Sequence, residues 1–426
     1  MVADEEKGVY IPTEQLRVGI FVRLELSWFE HPFSMSSFKI KDEDQIHTIR
    51  ALGLKKVLCI PKKSDRSSLN VAPPPVQPMP EGELKAIEDV ACQAKKERVE
   101  RLNKERARVR ECEKQYLSAA NSVANINRML FSRPKDAIKE ANFLIQEMVA
   151  SLITERNVAV HLMNTKVQGE EVYHHSLNVM VLSMMLAKEF GYSALEIGFL
   201  ALGALLHDIG KKKIPDKITK KLDPLTESER KFAELHPAYG KDFAVELGLS
   251  PEVVAVIAEH HEAVDGSGYP DGIDGNKMSP LAKIIAIINT YDNLCNHPDP
   301  RRSLTPSEAL AHMFSQQRSR YDLALLQLFI RCLGVYPPGT AVQLSNEAIG
   351  MVISVSARNP LRPNVLIYDP SVPKQEAIIL DLEEDPDISV KSSIKPSLLP
   401  REAHEYLSIK SRVTYYFDSG PDRASK

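Results

Sequence analysis

The run Ala201–Lys211, ALGALLHDIGK, is apolar and helical until it presents His207 and Asp208, and it then breaks at Gly210. An imidazole and a carboxylate at the end of a buried helix are costly to desolvate, and a divalent metal ion is the commonest compensator. A chain carrying this run must fold so that further ligands converge on it. Of its twelve histidines, six fall between His174 and His261, each with a carboxylate or another histidine close in sequence.

The spacing gives those groups helical positions. Glu171 and His175 are four apart and share a helix face. His207 and Asp208 end the next long helix, His236 is expected to end a helix just before Pro237, and His260-His261 end another immediately before Glu262. One histidine at a helix end is commonly a dipole-stabilised cap. Six such groups on successive ends favour a metal cluster built between facing helices of a bundle. Imidazole and carboxylate without thiolate suit iron, manganese, nickel or zinc, and the ligand count implies more than one ion. The loop Asp265-Gly266-Ser267-Gly268-Tyr269-Pro270-Asp271-Gly272 follows closely and reads as the rim of the same site. Its glycines allow close backbone approach, and Tyr269 offers a stacking face and a hydroxyl.

The rest of the chain divides around this centre into a mainly α protein with a small N-terminal α+β domain and a short C-terminal β extension. Residues 1–65 mix strand-like runs (Phe21 to Leu26, Lys56 to Ile60) with one helix at Asp42 to Leu52 and an aromatic segment, SWFEHPF, that reads as a miniature core. His31 and His47 are expected at its surface. Residues 66–82 form a proline-rich linker. Residues 83–130 form a charged connecting helix whose apolar positions recur by sevens at Leu102, Val109, Tyr116, Val123 and Leu130, with Cys112, Ala119 and Ile126 as a second seam. Such a seam packs against a helix of its own chain or of a homodimer. Its basic run is interleaved with Glu97, Glu100 and Glu105, which argues for a solvated face rather than a nucleic-acid patch.

Residues 131–340 are helical text with capping boxes at Ser193/Glu196, Thr226/Glu229 and Thr305/Glu308, and Ser-Pro starts at Ser250 and Ser279. Residues 341–426 turn to strand-like runs at Val342 to Leu344, Gly350 to Val355, Val365 to Tyr368 and Ala377 to Leu382. With 426 residues, 43% of them hydrophobic, the chain can bury a large core, and a net charge of −3 gives no argument for nucleic acid or an acidic membrane. The five cysteines form no C-x-x-C pair and read as reduced thiols. The charged first residues and the lack of a long apolar run predict a cytoplasmic protein without a membrane span.

Three motifs in order carry a specific resemblance: HDIGK at His207 to Lys211, HHE at His260 to Glu262, and DGSGYP at Asp265 to Pro270. Over about residues 171–335 the chain resembles the HD-GYP family of bacterial cyclic di-GMP phosphodiesterases. The N-terminal module, with LRVGIFV and SWFEHPF, is similar to a small domain of unknown function often joined to them. The resemblance implies an HD-type helical bundle holding two or three divalent ions, iron or manganese ahead of nickel or zinc. Its implied ligands are His175, His207, Asp208, His236, His260 and His261, with Asp208 bridging and Glu171 as an extra carboxylate. Lys211 is implied at the scissile phosphate, and Gly268, Tyr269 and Pro270 at the cyclic dinucleotide.

Two departures stand out. Asn289 stands in INTYDNL where the resemblance implies a metal-ligating aspartate, with Asp292 three residues on as a group that supports a ligand or as a substitute ligand. Pro298 stands where the family has a phosphate-binding arginine, leaving Arg301 and Arg302 as the basic pair. They motivate two alternatives. One is a catalytically degenerate member that binds metal or dinucleotide and signals through protein contacts, for example with diguanylate cyclase (GGDEF) proteins. The other is an enzyme for another cyclic dinucleotide.

Overall fold

The computed structural model describes residues 8–26, 31, 33, 36–65, 68, 81–154, 159–163, 171–221, 223–356, 359–370, 372–374, 377–408 and 413–418, the side chains of 81–88, 90–92, 94–95, 98, 101, 105, 159, 171–172, 356 and 418 excepted. Two compact units divide the chain. One comprises residues 1–106, 344–348 and 367–379, and the other residues 107–343, 349–366 and 380–426.

In the first unit, β1 (Val9–Pro12), β2 (Phe21–Arg23), β3 (Ser37–Lys39) and β4 (Lys56–Cys59) form an antiparallel sheet in the order β1-β4-β2-β3. Helix α1 (Glu43–Ala51) starts where Asp42 accepts the Gln45 N–H, and buries Ile46 and Ile49 against Val22, Ile40 and Val57. His31 is not a surface residue: it is buried and its Nε2 meets the Ser36 hydroxyl at 2.9 Å, so a short polar partner takes the place of water. Trp28, Phe29 and most of the proline-rich linker lie outside the described residues.

Helix α2 (Glu81–Met129) is continuous over the charged segment. From Cys112 onward its seam is consumed inside the chain: Cys112, Tyr116, Ala119, Val123, Ile126 and Leu130 are buried in one core with residues from most of the helices that follow. Those are α3 (Pro134–Thr154), α4 (Glu171–Phe190), α5 (Ala194–Leu206), α6 (Asp216–Thr219), α7 (Glu227–Ala233), α8 (His236–Glu246), α9 (Pro251–Glu259), α10 (Pro280–Cys295), α11 (Pro306–Gln316) and α12 (Leu323–Leu333). Helix α5 is buried along its whole second half and packs against α3, α4 and α9, as its uninterrupted apolar text requires.

The three capping boxes form as read. Ser250 and Ser279 do stand before their helices, but neither hydroxyl makes a cap bond; the fixed φ of Pro251 and Pro280 suffices to start the turn. His236 opens α8 instead of closing a helix, because Pro237 lacks an N–H that only a first turn can spare. Among the described residues, no helix is long and apolar enough to cross a membrane.

A seven-stranded sheet joins distant parts of the chain. It runs β10 (Val390–Ser393), β6 (Ala341–Leu344), β7 (Ile349–Ser356), β5 (Ala159–Leu162), β11 (Tyr415–Asp418), with β8 (Asn364–Ile367) pairing β7 and β9 (Ile379–Asp381). The four C-terminal runs appear close to where the sequence puts them. β5 and β11 do not: β5 lies inside what reads as helical text, and β11 reaches back to it in antiparallel register, Tyr415 opposite Leu162. A short helix, α13 (Arg401–Tyr406), precedes that last strand.

One close approach fixes the turn that carries Asp208. The 3₁₀ segment Ile209–Lys213 lies against α8 so tightly that a Cβ on Gly210 would overlap the carbonyl oxygen of His236 and stand 2.6 Å from the Gly240 nitrogen. Gly198, on α5, has open space around it. Gly210→Ala is therefore expected to cost about 1–3 kcal/mol through forced displacement, seen as a melting temperature lower by several degrees. Gly198→Ala should be neutral or stabilising in the same thermal unfolding measurement.

Candidate metal centre

Three histidines turn their rings back to the carbonyl three residues earlier. His207 Nδ1 lies 2.8 Å from the Ala204 carbonyl, His236 Nδ1 2.8 Å from that of Ala233, and His260 Nδ1 2.7 Å from that of Ile257. Each ring satisfies a carbonyl that a helix end would otherwise leave without a partner. A carbonyl only accepts, so each Nδ1 carries the hydrogen and each Nε2 is a bare lone pair. His175 reaches the same state by another route, its Nδ1 donating to Asp292 Oδ2 at 2.6 Å.

The bare nitrogens converge. His175 Nε2 and His207 Nε2 are 3.1 Å apart, as are His236 Nε2 and His260 Nε2. Asp208 sits between the two pairs: Oδ2 lies 3.5 Å from His207 Nε2 and 3.7 Å from His175 Nε2, while Oδ1 lies 3.4 Å from His236 Nε2 and 3.8 Å from His260 Nε2. Two groups of candidate ligands result, His175/His207/Asp208 and Asp208/His236/His260/His261, each with its ligand atoms within 4.8 Å of one another and Asp208 in both.

The charge state matches. Burial pushes the His207 imidazole down to about 4. Burial, reinforced by neighbouring imidazoles, holds His260 and His261 well below their ordinary value. Burial opposes ionisation of Asp208, but His207 and Lys211 beside it keep its carboxyl well below the usual range. The rings thus aim their Nε2 atoms at one another around an ionised carboxylate whose buried Oδ1 has no hydrogen-bond partner. Facing lone pairs cannot bond to each other, and protonating His207, His260 or His261 is disfavoured by burial. This donor set fits divalent cations, and its Nδ1 contacts supply the outer hydrogen bonds that metal-binding histidines require.

Glu262, the last residue of HHE, serves the loop. Its buried carboxylate accepts the N–H groups of Asp271 at 2.8 Å, Gly272 at 3.1 Å and Ile273 at 3.1 Å. Gly268 passes so close that a Cβ would stand 2.6 Å from the Glu262 carbonyl carbon, and Tyr269 then stacks on His261 with centroids 4.5 Å apart at 21°. Pro270 follows within the same loop. Lys211 Nζ lies 2.6 Å from Asp208 Oδ2, its side chain half exposed.

The remaining sequence candidates are placed less directly. Asn289 is buried on α10 with its Oδ1 accepting from Asn293 at 2.8 Å. Arg301 is 89% exposed and grips Asp299 through Nε and Nη2, both at 2.9 Å, and Arg302 is exposed. The Glu171 side chain lies outside the described residues. Sequence reasoning missed the clamp by Glu262 and the contacts of Asn178 and Asn296 with Asp292. The only signal was spacing: Asn178 is three residues after His175 and Asn296 four after Asp292, each pair on one helix face.

Fold and site define a helical-bundle protein with a buried histidine–aspartate cluster that could hold divalent metal. Residues 147–325 match the family model described as HD domain, and the HDIGK, HHE and DGSGYP segments all lie within that stretch. Residues 9–141 match the Domain of unknown function (DUF3391), and residues 341–400 the KOW domain associated with HD domain. A Pseudomonas aeruginosa protein named cyclic di-GMP phosphodiesterase PA4108 is 28% identical over 370 residues, 84% of each chain. Cyclic di-GMP phosphodiesterase PdeB of Borreliella burgdorferi is 27% identical over 195 residues; the match spans 45% of this chain and about half (52%) of PdeB. Among solved structures, Bd1817, an HDG"Y"P protein from Bdellovibrio bacteriovorus, gives a TM-score of 0.43 at 17% identity, covering 75% of this chain and 97% of its own.

The buried imidazoles also set a pH dependence for the metal-free protein. His207 titrates near 6.5 when unfolded and at about 4 when folded. Between those values the unfolded state binds more protons, so stability falls as pH drops through this window and is retained above it. His260 and His261 act in the same direction. Thermal unfolding of chelator-treated protein should show a plateau above pH 7 and a steady decline from about pH 6.5 to 4. Added metal should raise the melting temperature most on the plateau, where the rings are unprotonated.

Proposed function

We propose that this protein is a metal-dependent phosphodiesterase that hydrolyses cyclic di-GMP to the linear dinucleotide, or onward to GMP. The observation that carries the reading is the convergence of four bare Nε2 atoms on Asp208. The likeness to PA4108 along most of both chains supports the substrate. His175, His207, Asp208, His236, His260 and His261 would hold two divalent ions, iron or manganese by the donor set, with Asp208 shared and Asn289 or Glu171 completing the coordination of a second or third. Bound ions would supply Lewis-acid charge against the phosphate oxygens and make an attacking water acidic enough to react near neutral pH.

The chain's own residues do the rest. Lys211, already at Asp208 and half exposed, donates to a phosphate oxygen and opposes the charge that builds there. Gly268, Tyr269 and Pro270, clamped by Glu262, present a rigid wall to the dinucleotide. Arg301 and Arg302 add positive charge for the second phosphate, Arg301 exchanging Asp299 for it. On this reading the protein is cytoplasmic.

Asn289 favours one second reading, a degenerate member that binds metal or dinucleotide and acts through protein contacts, with diguanylate cyclases or a second copy as partners. An amide oxygen brings no charge to the ion it would ligate, and here it is already engaged by Asn293. Anaerobically purified protein loaded with iron or manganese is expected to linearise cyclic di-GMP ahead of other cyclic dinucleotides, and chelation to abolish turnover. Folded, metal-loaded protein that turns over no cyclic dinucleotide would overturn the enzyme reading. If Asn289→Asp then switches activity on, the degenerate reading stands.

A further inference from the structure

Asp292 is buried, 1% exposed, and its oxygens are divided between two tasks. Oδ2 takes the Nδ1–H of His175 at 2.6 Å, while Oδ1 takes side-chain amide hydrogens from Asn178 at 2.8 Å and Asn296 at 2.9 Å. Each asparagine is also tied to the backbone at Val413, just before β11, and Asn178 to Tyr415 at its start as well. Asn178 donates to the Val413 carbonyl at 2.9 Å and accepts the Tyr415 N–H at 2.9 Å. Asn296 donates to the same carbonyl at 2.8 Å and accepts the Val413 N–H at 2.7 Å.

This bonding leaves no freedom in the amides. Because each Oδ1 accepts a backbone N–H, each Nδ2 must be the donor, and its two hydrogens are both used, one by Asp292 and one by Val413. The segment is itself held in place. The Thr414 carbonyl accepts the Met163 N–H at 2.8 Å, and the hydroxyls of Tyr415 and Tyr291 meet at 2.8 Å inside the core. It lies beyond the matched family models, the last of which ends at residue 400.

We infer that the backbone of Val413–Tyr415 is a built part of the metal centre: it sets two asparagines, they set Asp292, and Asp292 sets the ring of His175. Asn178, Asn296 and Asp292 are positioning residues, and the strand they grip comes from 235 or more residues away along the chain from Asn178. Were the strand to leave, Asp292 would keep only donors free to rotate away, and His175 Nε2 would lose its fixed aim toward His207 and Asp208. The inference rests on the proposed role of His175 as a ligand.

The test uses the full-length protein and manganese as the probe, with equilibrium metal affinity and stoichiometry read beside amide hydrogen exchange of the metal-free form. Asn178→Ala should deprotect the Tyr415 amide and Asn296→Ala the Val413 amide. Each should weaken manganese binding by about 10- to 100-fold. The double variant should lose no more than Asp292→Ala does, since all act through one carboxylate; a merely structural effect would add to it. Val413→Pro, which removes one N–H and no side chain of the centre, should weaken binding as Asn296→Ala does. The asparagine variants leave the backbone intact and decide the matter should the proline variant not fold.

Asparagine variants that expose the strand amides yet bind manganese within about twofold of the parent would overturn the inference. A parent protein that takes up no metal at all would overturn the metal reading, and this inference with it.

Discussion

The centre depends on a single repeated bond, an imidazole Nδ1–H turned back to the carbonyl three residues earlier. At His207, His236 and His260 that bond closes a helical turn and fixes which ring nitrogen is bare. Helix ends always leave carbonyls over. In this chain three of them meet an imidazole Nδ1, so the termination of secondary structure and the aiming of the rings are one event. The positions of the rings follow from where helices stop, and the helices stop where the bundle's core allows. Asp208 is held by the same logic, since Gly210 lets its turn press against the start of the helix that His236 opens.

Much of this was legible in the sequence. Apolar periodicity and capping boxes located the bundle because caps are local chemistry, decided by a side chain and an N–H three residues away. The histidines were legible because buried imidazole and carboxylate demand a common partner. What was not legible came from distant pairing. β5 offers four residues of ordinary text, and only β7 and β11 make them a strand. The placement of His236 was misread because Pro237 signals both a stop for the preceding helix and a start for the next. The hydroxyl of Tyr116 meets His174 at 2.6 Å, though nothing in either residue's neighbourhood announces the other.

Helix α2 shows how one periodic seam serves a purpose that periodicity alone leaves open. A heptad pattern says that a partner exists, not whose chain supplies it. From Cys112 to Leu130 the partner is this chain's own bundle, and Tyr116 of the seam bonds to the residue next to His175. The stretch Cys112–Leu130 is therefore part of the bundle's core, and on the charged stretch before it Glu97 and Glu100 are exposed.

The clamp by Glu262 has a consequence for how such a protein could diversify. One carboxylate, adjacent in the chain to the His260-His261 pair, gathers three loop amides, and the loop's tyrosine lies flat on His261. The loop and the histidine pair are thereby tied into one unit. A substitution that reshaped the loop would displace the His261 ring in the same step, so loop and ring would have to change together.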